Sequence, residues 1–169
     1  MAVMKLAILA HNIRSVHNVG SILRTADGLG VERVLLSGYS PYPAMPDDAR
    51  PPHVRRKIAE ALHKTALGAE QSVTVDYQED PLHVIDEYKR LGYQAIALEQ
   101  TPSAVPLHIY VPPERVLMVL GEEVHGIPPA ILQACDGAVV IPMVGRKESF
   151  NVSVATGIAL YGLIFGQKA

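Results

Sequence analysis

Apolar residues fall along this chain in two rhythms. Short apolar runs without alternation, Lys5 to Leu9, Arg33 to Leu36, Val73 to Tyr77, Gln94 to Leu98, Val116 to Leu120 and Ala138 to Ile141, read as strands. A strand with no polar side belongs in a sheet covered on both faces, and parallel sheets have that property. Between the strands the apolar positions fall three and four apart. This spacing predicts helices from about Asn18 to Gly28 or Gly30, with Val19, Ile22, Leu23 and Ala26 on one face, and from His53 to Leu67, with Val54, Ile58, Ala61, Leu62 and Thr65 inward. It also predicts helices over Pro81 to Leu91, a short one starting near Pro128, and a last one from Asn151 to Phe165. Strand, helix, strand in succession gives an α/β fold: a mostly parallel sheet with helices on both faces. The stretch from Ser37 to Pro52 holds Pro41, Pro43, Pro46, Pro51 and Pro52 and reads as a surface loop.

The last helix breaks the amphipathic rule. It is apolar nearly all round, with Ala155, Gly157, Ala159 and Gly162 interspersed, so it needs more cover than its own sheet supplies. The junction before it is the most informative segment of the chain. Ala138 to Ile141 runs into Pro142, which fixes the backbone, and Gly145, which permits φ > 0; Ser149 and Asn151 follow, able to cap the helix. A loop of this make exposes backbone amides at the end of a strand, where a small polar ligand can be held. Taken alone it is also an ordinary strand-to-helix turn.

Two other segments share this chemistry: Asn12 to Asp27, with Asn18 six positions before Arg24, and Gly121-Glu-Glu-Val-His-Gly126 after the apolar run Val116 to Leu120. With Glu148-Ser-Phe-Asn-Val-Ser153, in that order, the three segments resemble the motifs of the SPOUT methyltransferases, specifically the TrmH (SpoU) branch of RNA ribose 2′-O-methyltransferases. The resemblance runs from about Lys5 to Phe165 and is weaker in the middle. It implies an S-adenosylmethionine-dependent enzyme acting on tRNA or rRNA, a deep C-terminal trefoil knot, and a homodimer whose site is shared between subunits. It also implies roles for particular residues. Arg24 meets the RNA phosphate beside the reactive hydroxyl, Asn18 organises that arginine, Glu123, Ser149 and Asn151 line the catalytic centre, and Leu120, Gly121, Ile141, Met143, Phe150 and Val152 hold the adenosine. Family practice often makes Arg24 the base, but a guanidinium holds its proton firmly and orients a phosphate more readily than it gives that proton up.

Each residue also has a plainer reading. Arg24 could pair with Asp27, Asn18 could simply cap the first helix, and the apolar members could be core. Glu122 reads as a solvated neighbour of Glu123. Gly121 to Gly126 lacks the middle glycine of a dinucleotide-binding loop, so a nicotinamide or flavin dinucleotide is disfavoured. Cys135 has no base beside it, and His11, His17 and His125 are given no catalytic part.

Composition narrows the picture further. The chain has 169 residues, 49% of them hydrophobic, and is expected to form a single domain over residues 1–169. Fifteen basic against seventeen acidic residues leave a net charge of −2, so any RNA contact must come from a local patch. Arg55, Arg56 and Lys57, with Arg50, Lys64, Arg14, Arg146 and Lys147, are the candidates, although a solvated helix face fits them equally well. A single cysteine suits a reducing compartment, and seven histidines without a Cys/His cluster argue against structural zinc. No signal peptide, membrane span or metal is expected, and a cytoplasmic location follows. The terminal extensions that many relatives use to hold RNA are not expected either. The competing reading from another class is a catalytically silent RNA- or cofactor-binding module on the same fold; base methylation by a SPOUT relative is disfavoured by the Asn18 and Arg24 pairing.

Overall fold

The computed structural model describes residues 4–166. In chain order the elements are β1 (Lys5–His11), α1 (Val16–Gly28), β2 (Arg33–Ser37), α2 (Pro52–Ala66), α3 (Ala69–Ser72), β3 (Thr74–Tyr77), α4 (Pro81–Arg90) and β4 (Gln94–Leu98). There follow β5 (Val105–Pro106), a 3₁₀ turn (Leu107–Ile109), β6 (Arg115–Leu120), α5 (Pro129–Ala134), β7 (Gly137–Val140) and α6 (Val152–Phe165). Every strand and helix expected from the pattern is present within a few residues. The short α3, β5 and the 3₁₀ turn are additions; each is too brief to leave a periodic signal.

The seven strands form one sheet, ordered β3-β2-β1-β6-β4-β7-β5, and every pairing is parallel. Alternate residues of the central strands serve opposite faces. Leu6, Ile8, Ala10, Val116, Met118 and Leu120 pack with α1, α2 and α6, whereas Ala7, Leu9, Leu117 and Val119 pack with α4 and α5. Both faces are therefore apolar, which is why these strands show no alternation. β7 departs from that expectation. It lies between β4 and the two-residue β5, near the sheet edge, and only Val139 is buried.

Chain order reverses at β1. The chain runs outward through β2 and β3, then returns to lay β6 on the other side of β1, with Ala10 opposite Leu120. Open parallel sheets collect ligands at such a reversal, beyond the carboxyl ends of the strands. The loops after β1 and β6 leave that edge side by side. The loop after β7 starts two strands away, but α6 comes back against α1, with Gly157 facing Thr25.

The proline-rich loop is folded on itself around Arg50. Its guanidinium donates to both Asp48 oxygens and to the Tyr42 and Pro43 carbonyls, and it stacks 3.5 Å over the Tyr42 ring. Tyr42 in turn stacks on Tyr77 at 4.1 Å. Arg50 is thus consumed inside the loop and cannot serve as the phosphate contact suggested for it.

Candidate active site

The loop after β6 closes tightly. Glu122 and Gly126 form a bridge, and the Gly126 amide donates to the Glu122 carbonyl at 3.0 Å. A side chain has no room at either end: a Cβ on Gly121 would lie 2.4 Å from the Gly126 carbonyl carbon, and one on Gly126, where φ is +69°, would fall 2.2 Å from Glu99 Oε2. The glycines at both ends of Gly-x-Glu-x-x-Gly are therefore a packing requirement.

The turn aims its two glutamates at different partners. Glu123 Oε1 accepts from the side-chain Nδ2 of Asn18 at 2.6 Å; Asn18 Oδ1 accepts from Asn151 Nδ2 at 3.2 Å; Asn151 Oδ1 accepts from the Ser153 backbone amide at 2.9 Å and its hydroxyl at 2.7 Å. One line of hydrogen bonds thus joins all three motifs. Asn151 caps α6 as expected. Asn18 does not cap α1: Ser15 does, its hydroxyl oxygen accepting from the Asn18 backbone N–H at 3.3 Å. The helix starts at Val16, so Asn18 sits in its first turn and its side chain is free to cross to Glu123. Glu122 is not solvated either. Its side chain is only 15% exposed and accepts from the Tyr39 hydroxyl and pairs with His125. The Tyr39 bond and then the His125 bond hold its carboxyl below the ordinary carboxylate range.

Beside this line lies an open cleft of about 290 Å³. Its walls include Leu120, Gly121, Glu123, Ile141, Met143, Ser149, Phe150 and Val152, so all six expected adenosine contacts share one concavity. Glu99, Gln100 and Glu148 line it too and were not foreseen. Glu99 could have been found from its place, the first residue beyond β4 at the ligand-collecting edge; its oxygens accept the Gln100 amide at 2.8 Å and the Ile127 amide at 2.9 Å. The Gln100 side chain donates to the Glu148 carbonyl and ties the last loop to the cleft. Within that loop Ser149 is exposed and caps nothing, and Gly145 does not use a positive φ.

Arg24 stands apart. It is exposed on α1, does not line the cleft, and has no ion-pair partner among the described residues, Asp27 included. Six residues of helix turn it about 120° from Asn18. Of the other basic candidates, Arg56, Lys57 and Lys64 are exposed on α2, and Arg14, Arg146 and Lys147 on loops. Arg55 is half-buried and its Nε is sealed from solvent without a partner, so it is not part of a solvated face.

His11 is buried, pairs with Ser37 Oγ at 2.9 Å, and burial lowers its pKa against the opposing pull of Glu122. Cys135 donates to the Ile131 carbonyl at 3.3 Å, and burial pushes its thiol up to about 11, far from a reactive thiolate. Among the described residues there is no group of three or more His, Cys, Asp or Glu side chains able to hold a metal, and no helix long and apolar enough to cross a membrane.

Residues 5–161 match the SpoU rRNA Methylase family. A tRNA (guanosine(18)-2′-O)-methyltransferase of Aquifex aeolicus is 31% identical over 156 residues, covering 92% of this chain and 67% of the relative. TrmH family relatives from Staphylococcus are longer, and the chain spans 56% of their length. The crystal structure of the Aquifex aeolicus TrmH/SpoU tRNA modifying enzyme superposes with a TM-score of 0.77 at 28% identity, covering 96% of this chain and 75% of that one. The SpoU methyltransferase AviRb from Streptomyces viridochromogenes, solved with the cofactor AdoMet, shares the fold with a TM-score of 0.75 at 23% identity, over 99% of this chain and 61% of that one.

Proposed function

The chain belongs to the SpoU rRNA methylase family, and from that premise we propose that it is an S-adenosylmethionine-dependent methyltransferase acting on a ribose 2′-hydroxyl of tRNA or rRNA. The observation that carries the reading is the hydrogen-bonded line Glu123–Asn18–Asn151, which joins three segments distant in sequence at the rim of the cleft. Side chains with no common task do not need to meet in this way. The Aquifex relative's activity on a tRNA guanosine ribose supports the substrate class.

The cleft fits the cofactor. At about 290 Å³ it lies near the lower end of small-molecule sites, and it combines apolar walls with a few polar groups at the rim. Leu120, Ile141, Met143, Phe150 and Val152 would bound the adenosine, with the bare backbone at Gly121 allowing close approach. When bound, S-adenosylmethionine supplies a methyl group activated by its sulfonium. The protein's part is then mainly positioning. Asn18, fixed from both sides, and Glu123 and Ser149 at the rim would orient the ribose, and Arg24, permanently charged, would hold the adjacent phosphate.

Arg24 is exposed on α1 and does not line the cleft of its own chain, which favours a homodimer in which it serves the partner's cleft. A second observation supports the pairing. Val154, Ile158, Tyr161 and Phe165 form an exposed apolar stripe on α6, beside a groove of about 700 Å³ lined by Leu107, His108, Pro142, Ile158, Tyr161 and also Ile141. Ile141 borders both the groove and the cofactor cleft, so a subunit seated in the groove would lie against the cleft wall. The family's trefoil knot belongs to the same proposal; it is supported by the path of the chain from β7, between β4 and β5, back to α6 against α1.

The test is incubation with bulk RNA and labelled cofactor followed by nucleoside mass spectrometry. A 2′-O-methylated nucleoside is expected. Cofactor binding with no methyl transfer to tRNA or rRNA would point instead to a silent binding module.

A further inference from the structure

Tyr39 lies outside the cleft, yet it is one hydrogen bond from the loop that carries Glu123. Its hydroxyl donates to Glu122, the neighbour of Glu123, and its backbone amide donates to Asn12 Oδ1 at 3.1 Å. Asn12 itself is held in the left-handed region at φ 57°, and a Cβ on Gly38 would collide with Asn12 Oδ1 at 1.8 Å, so this corner has one arrangement. Despite being fixed at both ends, the residue leaves 52% of its surface open. The Arg14 guanidinium stands close enough to act on its hydroxyl, and the exposed His125 ring shares the same carboxylate.

Resting on the reading above, we infer that Tyr39 is a platform for an unstacked nucleobase of the RNA, at or next to the nucleotide whose ribose is methylated. A base and its ribose are covalently joined, so a base site must lie within a nucleotide's reach of the reacting hydroxyl, and the Glu122–Glu123 step provides that nearness. Single-stranded bases are taken up on aromatic faces, with cations alongside for the phosphates. Because the ring is already ordered, stacking does not first have to immobilise it. The cofactor's adenine is a poorer candidate, since Tyr39 does not border the cofactor cleft. The simpler alternative is that Tyr39 only staples the loop through its hydroxyl.

The sequence contains no tryptophan, so Tyr39→Trp introduces a unique fluorophore at this point. Titration with bulk tRNA is expected to quench its emission, while S-adenosylhomocysteine alone leaves it unchanged. Quenching by the cofactor product alone, or by raised protein concentration without RNA, would overturn the assignment. In steady-state kinetics Tyr39→Leu is expected to raise the KM for RNA roughly tenfold with the KM for S-adenosylmethionine unchanged, and Tyr39→Phe, which keeps the ring, to recover most of that loss. Equal defects in both variants would make Tyr39 a staple; wild-type kinetics in Tyr39→Leu would remove it from the RNA site. Methylation of RNA by the unmodified protein is the separate control on the enzymatic reading.

Discussion

Asn151 has two tasks in one side chain, and its two atoms separate them. Oδ1 caps α6, and Nδ2 holds Asn18 in place. Asn151→Ala loses both, so it is expected to destabilise by ~0.5 to 2 kcal/mol in denaturant unfolding and to lose methyl transfer. Asn151→Asp keeps the capping oxygen and removes the donor, so it should unfold near the normal denaturant concentration yet transfer methyl groups roughly a hundredfold more slowly. A fully active aspartate variant would show that the link to Asn18 is dispensable. Gly126→Ala is the corresponding test of the cleft. It forces a left-handed alanine, which costs ~1 to 2 kcal/mol, and drives a methyl group into Glu99. The expected result is a folded protein whose cofactor binding by calorimetry is abolished or strongly weakened.

Elements carry these residues, and two contacts between elements are open to test. α1 crosses α2 at Gly20, where a Cβ would lie 2.0 Å from Thr65 Oγ1 and 2.8 Å from the Leu62 carbonyl oxygen. The hydroxyl can rotate away, but the carbonyl cannot. Gly20→Ala should therefore cost ~1 to 3 kcal/mol and, by displacing α1, slow methyl transfer through Asn18 as well. The loop between β2 and α2 depends on charge. Arg50 holds the Asp48 carboxyl well below the usual carboxylate range, chiefly through its side-chain hydrogen bonds. A depressed pKa in the folded state stabilises above the ordinary value of 3.8 and loses that contribution as pH falls through the folded value. Asp48→Asn should accordingly lower Tm near neutral pH, and the gap to the unmodified protein should begin to narrow below about pH 4 and shrink progressively as pH falls further. A gap that does not depend on pH would mean that shape, rather than charge, holds the loop.

At the scale of the whole molecule the decisive feature is the uncovered side of α6. Val154, Ile158, Tyr161 and Phe165 are 50, 38, 61 and 62% exposed, an unusual cost for a helix with no charged residue between Val152 and Phe165. Tyr161→Glu is expected to give monomers in sedimentation at micromolar concentration, where the unmodified chain is expected to be a dimer. Mixing inactive Arg24→Ala chains with inactive Asn151→Ala chains gives a sharper readout. Regained activity in exchanged dimers would place Arg24 in the partner's cleft, and persistent inactivity after proven exchange would mean that each chain's site is self-contained.

Much of this is legible in the sequence itself. The six long strands and the principal helices followed from apolar period, because a parallel sheet covered on both faces leaves its strands no polar side and its helices one. The cleft residues Leu120, Gly121, Ile141, Met143, Phe150 and Val152 came from motif resemblance, and chain continuity keeps such segments recognisable. What the sequence could not supply was direction. Asn18 has the chemistry of a cap, but only the true start of α1 at Val16 turns it toward Glu123. Glu122 and Glu123 are identical in kind, and the closure of the Gly121–Gly126 turn alone decides which meets Asn18 and which is taken by Tyr39 and His125. Arg50 and Arg56 read alike as surface cations, yet one is spent inside its loop and the other is exposed. Local pattern records which face of an element is apolar; the partner of a polar side chain depends on segments up to 133 residues away, and only tertiary packing brings them together.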